Sequence, residues 1–425
     1  MELMSSKTFY LLVFPLLFLL SLSSCSPEQG SYSTSPAAQA SPLVSTLAPA
    51  TATSVMGCSA ITTEPTPNVS SALPPITSTD YVTGPDNASV TMLLYCDFQS
   101  TQCEFFNRVL DELQKEHPND LKVVLRPFPV PVSLVASLDK SQLSTQAALA
   151  AGNQGKFWEM RNVLHARYSD WFKLSTAQFE KWVADQAVSL GLDGERFKQD
   201  LNSSKIRSQA QALYDSATRF GISNIPTVFI NGSLQSRASL SYDGLDSTIS
   251  LIALGTHEYK SCPPFNIDPS RQYLATIHLD KGNIVIQLYP DKAPLAVNSF
   301  VFLARNGWFN GVTFHRVIPG FVAQTGDPSG TGRGGPGYFF NNEISADLGY
   351  NKPGVVGMAN TGTDTNGSQF FITYAPAPNL DGAYTIFGQV LQGMDVVESL
   401  TPRDPSQATN LPPGDKVISV TVEEK

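Results

Sequence analysis

A long segment with almost no large apolar side chain most limits what this chain can fold into. From Ser26 to about Thr79 the sequence consists mainly of Ser, Thr, Pro and Ala. Such a segment cannot bury enough apolar surface to offset the entropy lost on ordering it, so we predict a disordered tether over residues 26–78. The folded part of the protein must therefore come from the residues that follow.

Length and charge set the next limits. The chain has 425 residues, of which 42% are hydrophobic and 15% charged, and this length predicts two or three folded domains. The formal net charge is −9. A protein that binds nucleic acid needs a basic surface to neutralise phosphates, and no basic patch is visible, so we do not expect a nucleic-acid partner.

The N-terminus has the pattern of an export signal. The apolar run Leu11–Leu20 follows Lys7 and is too short to span a bilayer comfortably. It leads into Leu22-Ser23-Ser24-Cys25, which resembles the lipobox of bacterial lipoproteins. The resemblance implies that residues 1–25 are a signal segment, that Cys25 is lipidated, and that the protein is anchored outside the cytoplasm to a bacterial membrane. A plain secretory signal and an uncleaved anchor are the alternatives.

The next part of the chain alternates strand and helix patterns. Val90–Phe98 reads as a buried strand, Cys103–Lys115 has helical spacing, and residues 141–220 form a long helical region. Gly221–Gly232 then contains a turn, a proline and a strand. This order resembles the DsbA-like branch of the thioredoxin superfamily, an α/β fold with a helical insertion, which we place at residues 79–260.

The redox motif of that family is incomplete here. Relatives carry Cys-x-x-Cys after Asp-Phe-Gln, whereas this chain has Ser100 at the first position and only Cys103 at the second. A serine hydroxyl cannot attack a disulfide as a thiolate does, so we predict a redox-inactive domain with a peptide-binding or structural role. We expect Cys103 to be buried, and whether it pairs with Cys96 stays open. Pro226 matches the family's cis-proline beside the substrate groove.

Two further cysteines flank this domain. Cys58 precedes it and Cys262 follows it, at the start of a predicted linker over residues 261–269. Outside the cytoplasm such a pair favours a disulfide, and two exposed free thiols are the alternative.

The last part of the chain is rich in strands. Two alternating strands surround a turn at residues 280–283, and residues 293–306 have helical spacing. Strands and glycine-rich loops follow, which favours an antiparallel barrel. The segments FHRVIPGFVAQTGD, GTGRGGPGY, GVVGMANTGTDTNGSQFFIT and LDGAYTIFG then occur in order between residues 314 and 388. They resemble the cyclophilin family of peptidyl-prolyl cis–trans isomerases, which implies an eight-stranded antiparallel β-barrel capped by two helices over residues 270–425.

The chemistry implied by this resemblance needs no cofactor, metal or nucleophile. Rotation about an X–Pro bond is opposed by a barrier of ~18–20 kcal/mol that comes from amide resonance. A guanidinium can donate to the proline nitrogen as that resonance is lost, and Arg316 matches the family's catalytic arginine. The positions that match the substrate surface are His315, Phe321, Val322, Gln324, Ala359, Asn360, Gln369, Phe371, Asn379, Leu380 and Tyr384.

Three of these positions depart from the usual family pattern. Val322 stands where many relatives have methionine, Asn379 where some eukaryotic members have a tryptophan that contacts cyclosporin, and Tyr384 where histidine is common. The last two imply weak cyclosporin binding and leave isomerisation intact. Phe314, Phe370 and Phe387 are expected in the core rather than in the site.

The sequence therefore predicts a lipid-anchored isomerase acting on X–Pro bonds. The expected partners are proline-containing peptides and unfolded or folding extracytoplasmic proteins. The alternative is a non-catalytic lipoprotein chaperone or scaffold that binds proline-containing peptides. A thiol oxidoreductase is opposed by Ser100.

Overall fold

The computed structural model describes residues 54–55, 57–61, 75–407 and 411–425. The predicted signal segment with Cys25, and most of the predicted tether, lie outside these residues. Within the described ranges, no helix combines the length and the apolar character needed to cross a membrane.

The first domain is an α/β structure with a helical insertion, as predicted. Two short strands precede this domain, β1 (Ser54–Val55) and β2 (Cys58–Ala60). The elements of the domain itself are, in chain order, β3 (Tyr81–Thr83), β4 (Val90–Cys96), α1 (Thr101–Glu116), β5 (Leu121–Pro127), α2 (Ser141–Gly152), α3 (Phe157–Ala166), α4 (Tyr168–Trp171), α5 (Thr176–Ser189), α6 (Gly194–Leu201), α7 (Ser204–Arg219), β6 (Thr227–Ile230), β7 (Ser233–Leu234) and α8 (Tyr242–Gly255). One sheet has the order β3-β5-β4-β6-β7, in which only β4 and β5 run parallel.

Strand β4 is apolar at almost every position because both of its faces are covered. Val90, Met92 and Leu94 pack into a core that also contains residues of α1, α2 and α8. The alternate residues Leu93 and Tyr95 pack on the opposite face, against residues at the end of α7. A strand that is buried on both faces has a nearly continuous run of apolar residues, and this run makes β4 predictable from the sequence.

Short polar side chains begin several of the helices. The Ser100 hydroxyl accepts a hydrogen bond from the Cys103 amide at 3.4 Å and caps α1. A reciprocal capping box between Ser175 and Gln178 begins α5. Each such cap stabilises its helix by about 0.5–2 kcal/mol.

The second domain is built on a curled antiparallel sheet of eight strands. Its elements are β8 (Tyr273–Leu279), β9 (Gly282–Leu288), α9 (Pro294–Arg305), β10 (Arg316–Ile318), β11 (Val322–Thr325), β12 (Tyr338–Phe340), β13 (Val355–Met358), β14 (Phe370–Thr373), β15 (Ile386–Gln392), α10 (Met394–Glu398) and β16 (Val417–Glu424). The sheet order is β10-β11-β14-β13-β15-β9-β8-β16. The segment before β10 meets β16 through a bridge between Thr313 and Lys416. This confirms the predicted eight strands and two helices.

Aromatic rings fill the interior of this sheet. The Phe300 ring on α9 lies 5.4 Å from Phe370 and 5.5 Å from Phe387, measured between ring centroids. Phe314, Phe370 and Phe387 are all buried, which confirms that they belong to the core. Helix α9 begins at Pro294. The Glu343 carboxylate accepts hydrogen bonds from the backbone amides of Leu295 and Ala296, at 2.9 Å each.

Part of the predicted tether is ordered, and this corrects the expectation of disorder throughout residues 26–78. Strand β2 pairs with β1 on one side and with β12 of the second domain on the other. The predicted disulfide between Cys58 and Cys262 is present, with a Cα–Cα distance of 6.1 Å. Main-chain hydrogen bonds and a covalent cross-link hold this segment, and neither requires the large apolar side chains that it lacks.

Candidate active site

Three polar and aromatic side chains form a row across neighbouring strands of the second domain. Arg316 on β10 is directly opposite Gln324 on β11, and Gln324 is opposite Phe371 on β14. Directly opposed residues lie on the same face of a sheet. The next row, which includes Val317 and Ala323, packs into the barrel core. Arg316, Gln324 and Phe371 therefore project from the outer face.

A small apolar cluster lies beside this row and is separate from the barrel core. Val322, Phe371 and Leu380 are buried in it, and Phe321 and Tyr384 are partly buried against it. All five belong to the predicted substrate surface. The Tyr384 ring packs edge-on against Phe371, with 5.6 Å between centroids. The structure thus brings the predicted pocket residues together.

Tyr350 completes this cluster and was not predicted from the sequence. It is fully buried, and its ring stacks on Phe371 with a centroid distance of 5.6 Å. Its hydroxyl donates to the Tyr384 carbonyl at 3.4 Å, and burial raises its pKa. The surrounding sequence, LGYNKPG, carries no periodic signal that would mark a buried residue. Its role depends on tertiary contacts alone.

The Arg316 guanidinium is available to a ligand. It lies over the face of Phe321, 5.8 Å from the ring centroid. In the part of the chain that the structure describes, it donates no hydrogen bond and no carboxylate lies within ion-pair distance. An arginine that is held by a ring face and keeps its N–H groups unpaired can donate them to a bound peptide.

The amide side chains of the groove are held by hydrogen bonds. Gln324 Nε2 donates to Gln369 Oε1 at 2.9 Å, and Gln369 Nε2 donates to the Gly334 carbonyl at 2.9 Å. Asn360 Nδ2 donates to the Ala383 carbonyl at 3.3 Å, next to the partly buried Ala359. These contacts fix the orientation of groups that can hold a peptide backbone.

Two predicted positions lie differently from the others. His315 directly precedes β10 and is only 3% exposed, so it contributes little surface to the groove. Burial lowers its pKa against the opposing effect of Asp327. Asn379 is exposed on the short helical turn Pro378–Leu380 that positions Leu380. Among the described residues, no cluster of His, Cys, Asp or Glu is arranged to hold a metal ion.

The two predicted redox-motif positions of the first domain lie at the start of α1. Cys103 is disulfide-bonded to Cys96 at the end of β4, with a Cα–Cα distance of 5.7 Å, and both residues are buried. The expectation that Cys103 is buried is confirmed, and the pairing that the sequence left open is present. The Ile225–Pro226 peptide bond is cis, as the family resemblance implied.

A cavity of about 780 Å³ adjoins this site. Ser100 and Ile225 lie on its wall together with the apolar side chains of Phe128, Val130 and Leu134. Leu134 is 65% exposed, so part of this apolar surface faces solvent. Ser100 therefore lies beside a cavity with a partly apolar wall.

Comparison with known protein families assigns each domain separately. Residues 274–422 match the family described as cyclophilin type peptidyl-prolyl cis-trans isomerase/CLD. Residues 77–250 match the family described as thioredoxin. The first match contains Arg316 and every predicted pocket residue, and the second contains Ser100, Cys103 and Pro226.

Two relatives named as peptidyl-prolyl cis-trans isomerases are similar to part of this chain. Peptidyl-prolyl cis-trans isomerase-like 1 of Aspergillus oryzae is 50% identical over 122 residues, which are 28% of this chain and 76% of the relative. Peptidyl-prolyl cis-trans isomerase ppi1 of Schizosaccharomyces pombe is 51% identical over 122 residues, 28% of this chain and 79% of the relative.

Longer relatives and solved structures also match part of this chain. Peptidylprolyl isomerase domain and WD repeat-containing protein 1 of Mus musculus is 44% identical over 152 residues, 35% of this chain, and the chain spans only 24% of that relative. A crystal structure of a Cryptosporidium parvum cyclophilin type peptidyl-prolyl cis-trans isomerase is 33% identical, with a TM-score of 0.33, and covers 36% of this chain and 98% of its own.

Proposed function

Because this chain belongs to the family of cyclophilin-type peptidyl-prolyl cis–trans isomerases, we propose that it accelerates rotation about X–Pro bonds in extracytoplasmic client proteins. The second domain is the isomerase domain. The observation that carries the proposal is the unpaired Arg316 guanidinium, which stands beside the cluster of Val322, Phe371 and Leu380.

The geometry supports a mechanism without covalent chemistry. A proline ring packs against the apolar cluster, and the Arg316 N–H groups face the proline nitrogen. As the amide twists, this nitrogen loses resonance and becomes a hydrogen-bond acceptor, so the arginine interaction is strongest in the transition state. Gln324 and Asn360, held by their own hydrogen bonds, keep the peptide backbone in place during rotation.

The rate at which the purified protein isomerises an Ala-Pro peptide tests this proposal. Arg316→Ala should lower kcat/KM at least roughly a hundredfold, which is typical when a preorganised transition-state donor is removed. Thermal unfolding should change little, because Arg316 makes no ion pair with the described residues. Arg271→Ala, at an exposed ion pair of the same domain, is the matched control. Wild-type turnover by Arg316→Ala would remove this residue from the mechanism.

We further propose that the first domain is a redox-inactive, DsbA-like module that binds clients. All four cysteines of the described residues are paired, so this part of the chain offers no free thiol. The cavity beside Ser100 and Ile225 has the apolar lining that an unfolded segment requires. This cavity also favours the alternative function, a non-catalytic chaperone. A sample that binds proline-containing peptides without isomerising them would establish that alternative.

We propose that the protein is a bacterial lipoprotein anchored through Cys25 outside the cytoplasm. Disulfides persist in oxidising compartments, and the two bridges support such a location. Lipid on one cysteine contributes about 0.8 kcal/mol of membrane binding per buried methylene. Mass spectrometry of the mature N-terminus should find a lipid on Cys25, and the variant Cys25→Ala should leave the membrane fraction. An unmodified Cys25 would refute the proposed lipid anchor.

A further inference from the structure

A second pocket, of about 280 Å³, lies next to the isomerase groove. The second domain lines it with Gln324, Ala359, Asn360 and Gln369, which are all predicted substrate-binding residues. The remaining wall includes two residues from outside that domain, Ile61 and Glu258. Ile61 follows β2, and Glu258 follows α8 at the end of the first domain.

The pocket and the groove form one continuous surface. Gln324 lines the pocket and also stands directly opposite Arg316 in the strand register. A peptide whose proline rests on Phe371 therefore passes Gln324, and its neighbouring residues enter the pocket. Since an extended chain advances about 3.3 Å per residue, these neighbours are within a few positions of the proline.

The two outside segments are fixed to the glycine-rich loop of the second domain. The Ile61 amide donates to the Gly337 carbonyl at 2.8 Å, and the Tyr259 amide donates to the Pro336 carbonyl at 2.9 Å. The disulfide between Cys58 and Cys262 joins the two segments to each other. These hydrogen bonds and the disulfide therefore hold the segment that carries Glu258 in the pocket wall.

The Glu258 carboxylate lacks a partner in the described part of the chain. It is half-buried, and it makes no hydrogen bond or ion pair with any described residue. Lys260 is outside ion-pair distance and bonds instead to the Gly255 carbonyl, while Arg333, which also lines the pocket, donates to the Ser247 hydroxyl. Burial raises the pKa of Glu258, and Lys260 only partly offsets this effect. The Coulomb attraction between a carboxylate and a cation is stronger at such a half-buried site than in bulk water.

We propose that Glu258 is a specificity-determining residue of the isomerase and selects clients with a lysine or arginine a few residues from the proline. This inference rests on the proposed function, since it names the substrate class of the same groove. The ammonium or guanidinium group enters the pocket and pairs with the carboxylate, while the proline occupies the apolar cluster beside Arg316.

The test uses the full chain and Ala-Pro peptides with Lys, Gln or Glu at each of the three positions on either side. At one of these positions, kcat/KM for the Lys peptide should be roughly tenfold higher than kcat/KM for the Glu peptide, because one partly desolvated charge pair contributes free energy on that scale. In Glu258→Gln this ratio should fall to about two or less. In Glu258→Lys the preference should reverse.

Glu423→Gln is the matched control, because it removes the same charge from an exposed position on β16. Its Lys-to-Glu ratio should equal that of the wild type, and an equal fall there would assign the effect to net charge and overturn the proposal. Equal rates for all three peptides with the wild-type protein, or a preference for Glu, would also overturn it.

A failure of the proposed function gives a different result from a failure of this inference. If the wild-type protein does not turn over the neutral Ala-Pro peptide, isomerisation itself is refuted. Peptide affinity, measured by fluorescence anisotropy with the same series, then still decides whether Glu258 recognises a cation. Circular dichroism establishes that each variant is folded before its ratio is interpreted.

Discussion

The two domains each contain the groove that their family resemblance implies, but the grooves differ in what they offer chemically. In the second domain, Arg316 presents beside an apolar pocket a guanidinium that makes no hydrogen bond or ion pair with the described residues. In the first, Cys103 is buried in a disulfide with Cys96, and the Ser100 hydroxyl caps a helix. The comparison shows that a cavity beside a site does not by itself provide a reactive group, because the shape of a cavity depends on many residues and reactivity on one or two.

One experiment would break this contrast by restoring thiol chemistry to the first domain. In the double variant Ser100→Cys/Cys96→Ser, Cys103 is released to pair with a cysteine at the head of α1, where the helix N-terminus lowers the thiol pKa. We expect disulfide reduction at least about tenfold above background in an insulin assay.

The single variant Ser100→Cys is the control for this experiment. In that variant Cys103 stays bound to Cys96, so we expect little activity. Equal activity of the single and double variants would show that the existing disulfide is not what blocks the chemistry. An inert double variant would show that the groove has changed beyond its nucleophile.

The next prediction is that the first domain can be destabilised without loss of activity in the second. Asp97 is fully buried and accepts from the Val130 amide at 2.9 Å, the Gln99 amide at 2.7 Å and the Ser141 hydroxyl. Asp97→Ala leaves these donors unpaired and should destabilise the first domain by about 3 kcal/mol in urea unfolding. Isomerisation by the second domain should persist.

Asp170→Ala is the matched control, because Asp170 forms only an exposed ion pair with Arg167. Such pairs contribute about 0–1 kcal/mol, so the unfolding midpoint should barely move. If Asp97→Ala abolished isomerisation in parallel with unfolding of the first domain, the two domains would not be energetically separable.

The smallest effect concerns pH. Burial alone would raise the pKa of Asp80, but hydrogen bonds from Arg126 Nε at 2.6 Å and Nη2 at 2.8 Å hold it below 3.8. A folded-state pKa below the unfolded value stabilises the fold above the unfolded pKa, and this contribution is lost as pH falls through the folded pKa.

Urea unfolding of the first domain between pH 7 and pH 3 measures this contribution. The wild type should be more stable than Asp80→Asn near pH 7, and the difference should shrink as the pH falls below 3.8. A difference that does not change with pH would mean that the ion pair makes no titratable contribution.

Local patterns made much of the fold predictable. The apolar run of β4, the alternation in β8 and β9 and the helical spacing of α9 each reflect a face that is buried along the element itself. The residues that the resemblance assigned to the site lie close together in the structure, with Arg316 over Phe321 and Phe321 packed against the apolar cluster. What these segments share is that sequence neighbours are also neighbours in the structure.

The remaining features depend on contacts between distant residues. The pairing of β2 with β12 uses main-chain hydrogen bonds that no side-chain pattern records. Tyr350 and Glu258 gain their places only when separate segments pack together. The burial of His315 likewise depends on the segments that pack around it, and the family motif does not state this.

The bridge between Cys58 and Cys262 also determines how the molecule carries mechanical load. It joins residues 204 positions apart and so encloses the whole first domain in a covalent loop. Tension applied to the two ends of the chain passes from Cys58 directly to Cys262, and the first domain is bypassed. About 700 Å of extended chain is shielded from the force until the bridge is reduced, at roughly 3.4 Å per residue. The first domain can thus remain folded while the two ends of the chain are under tension.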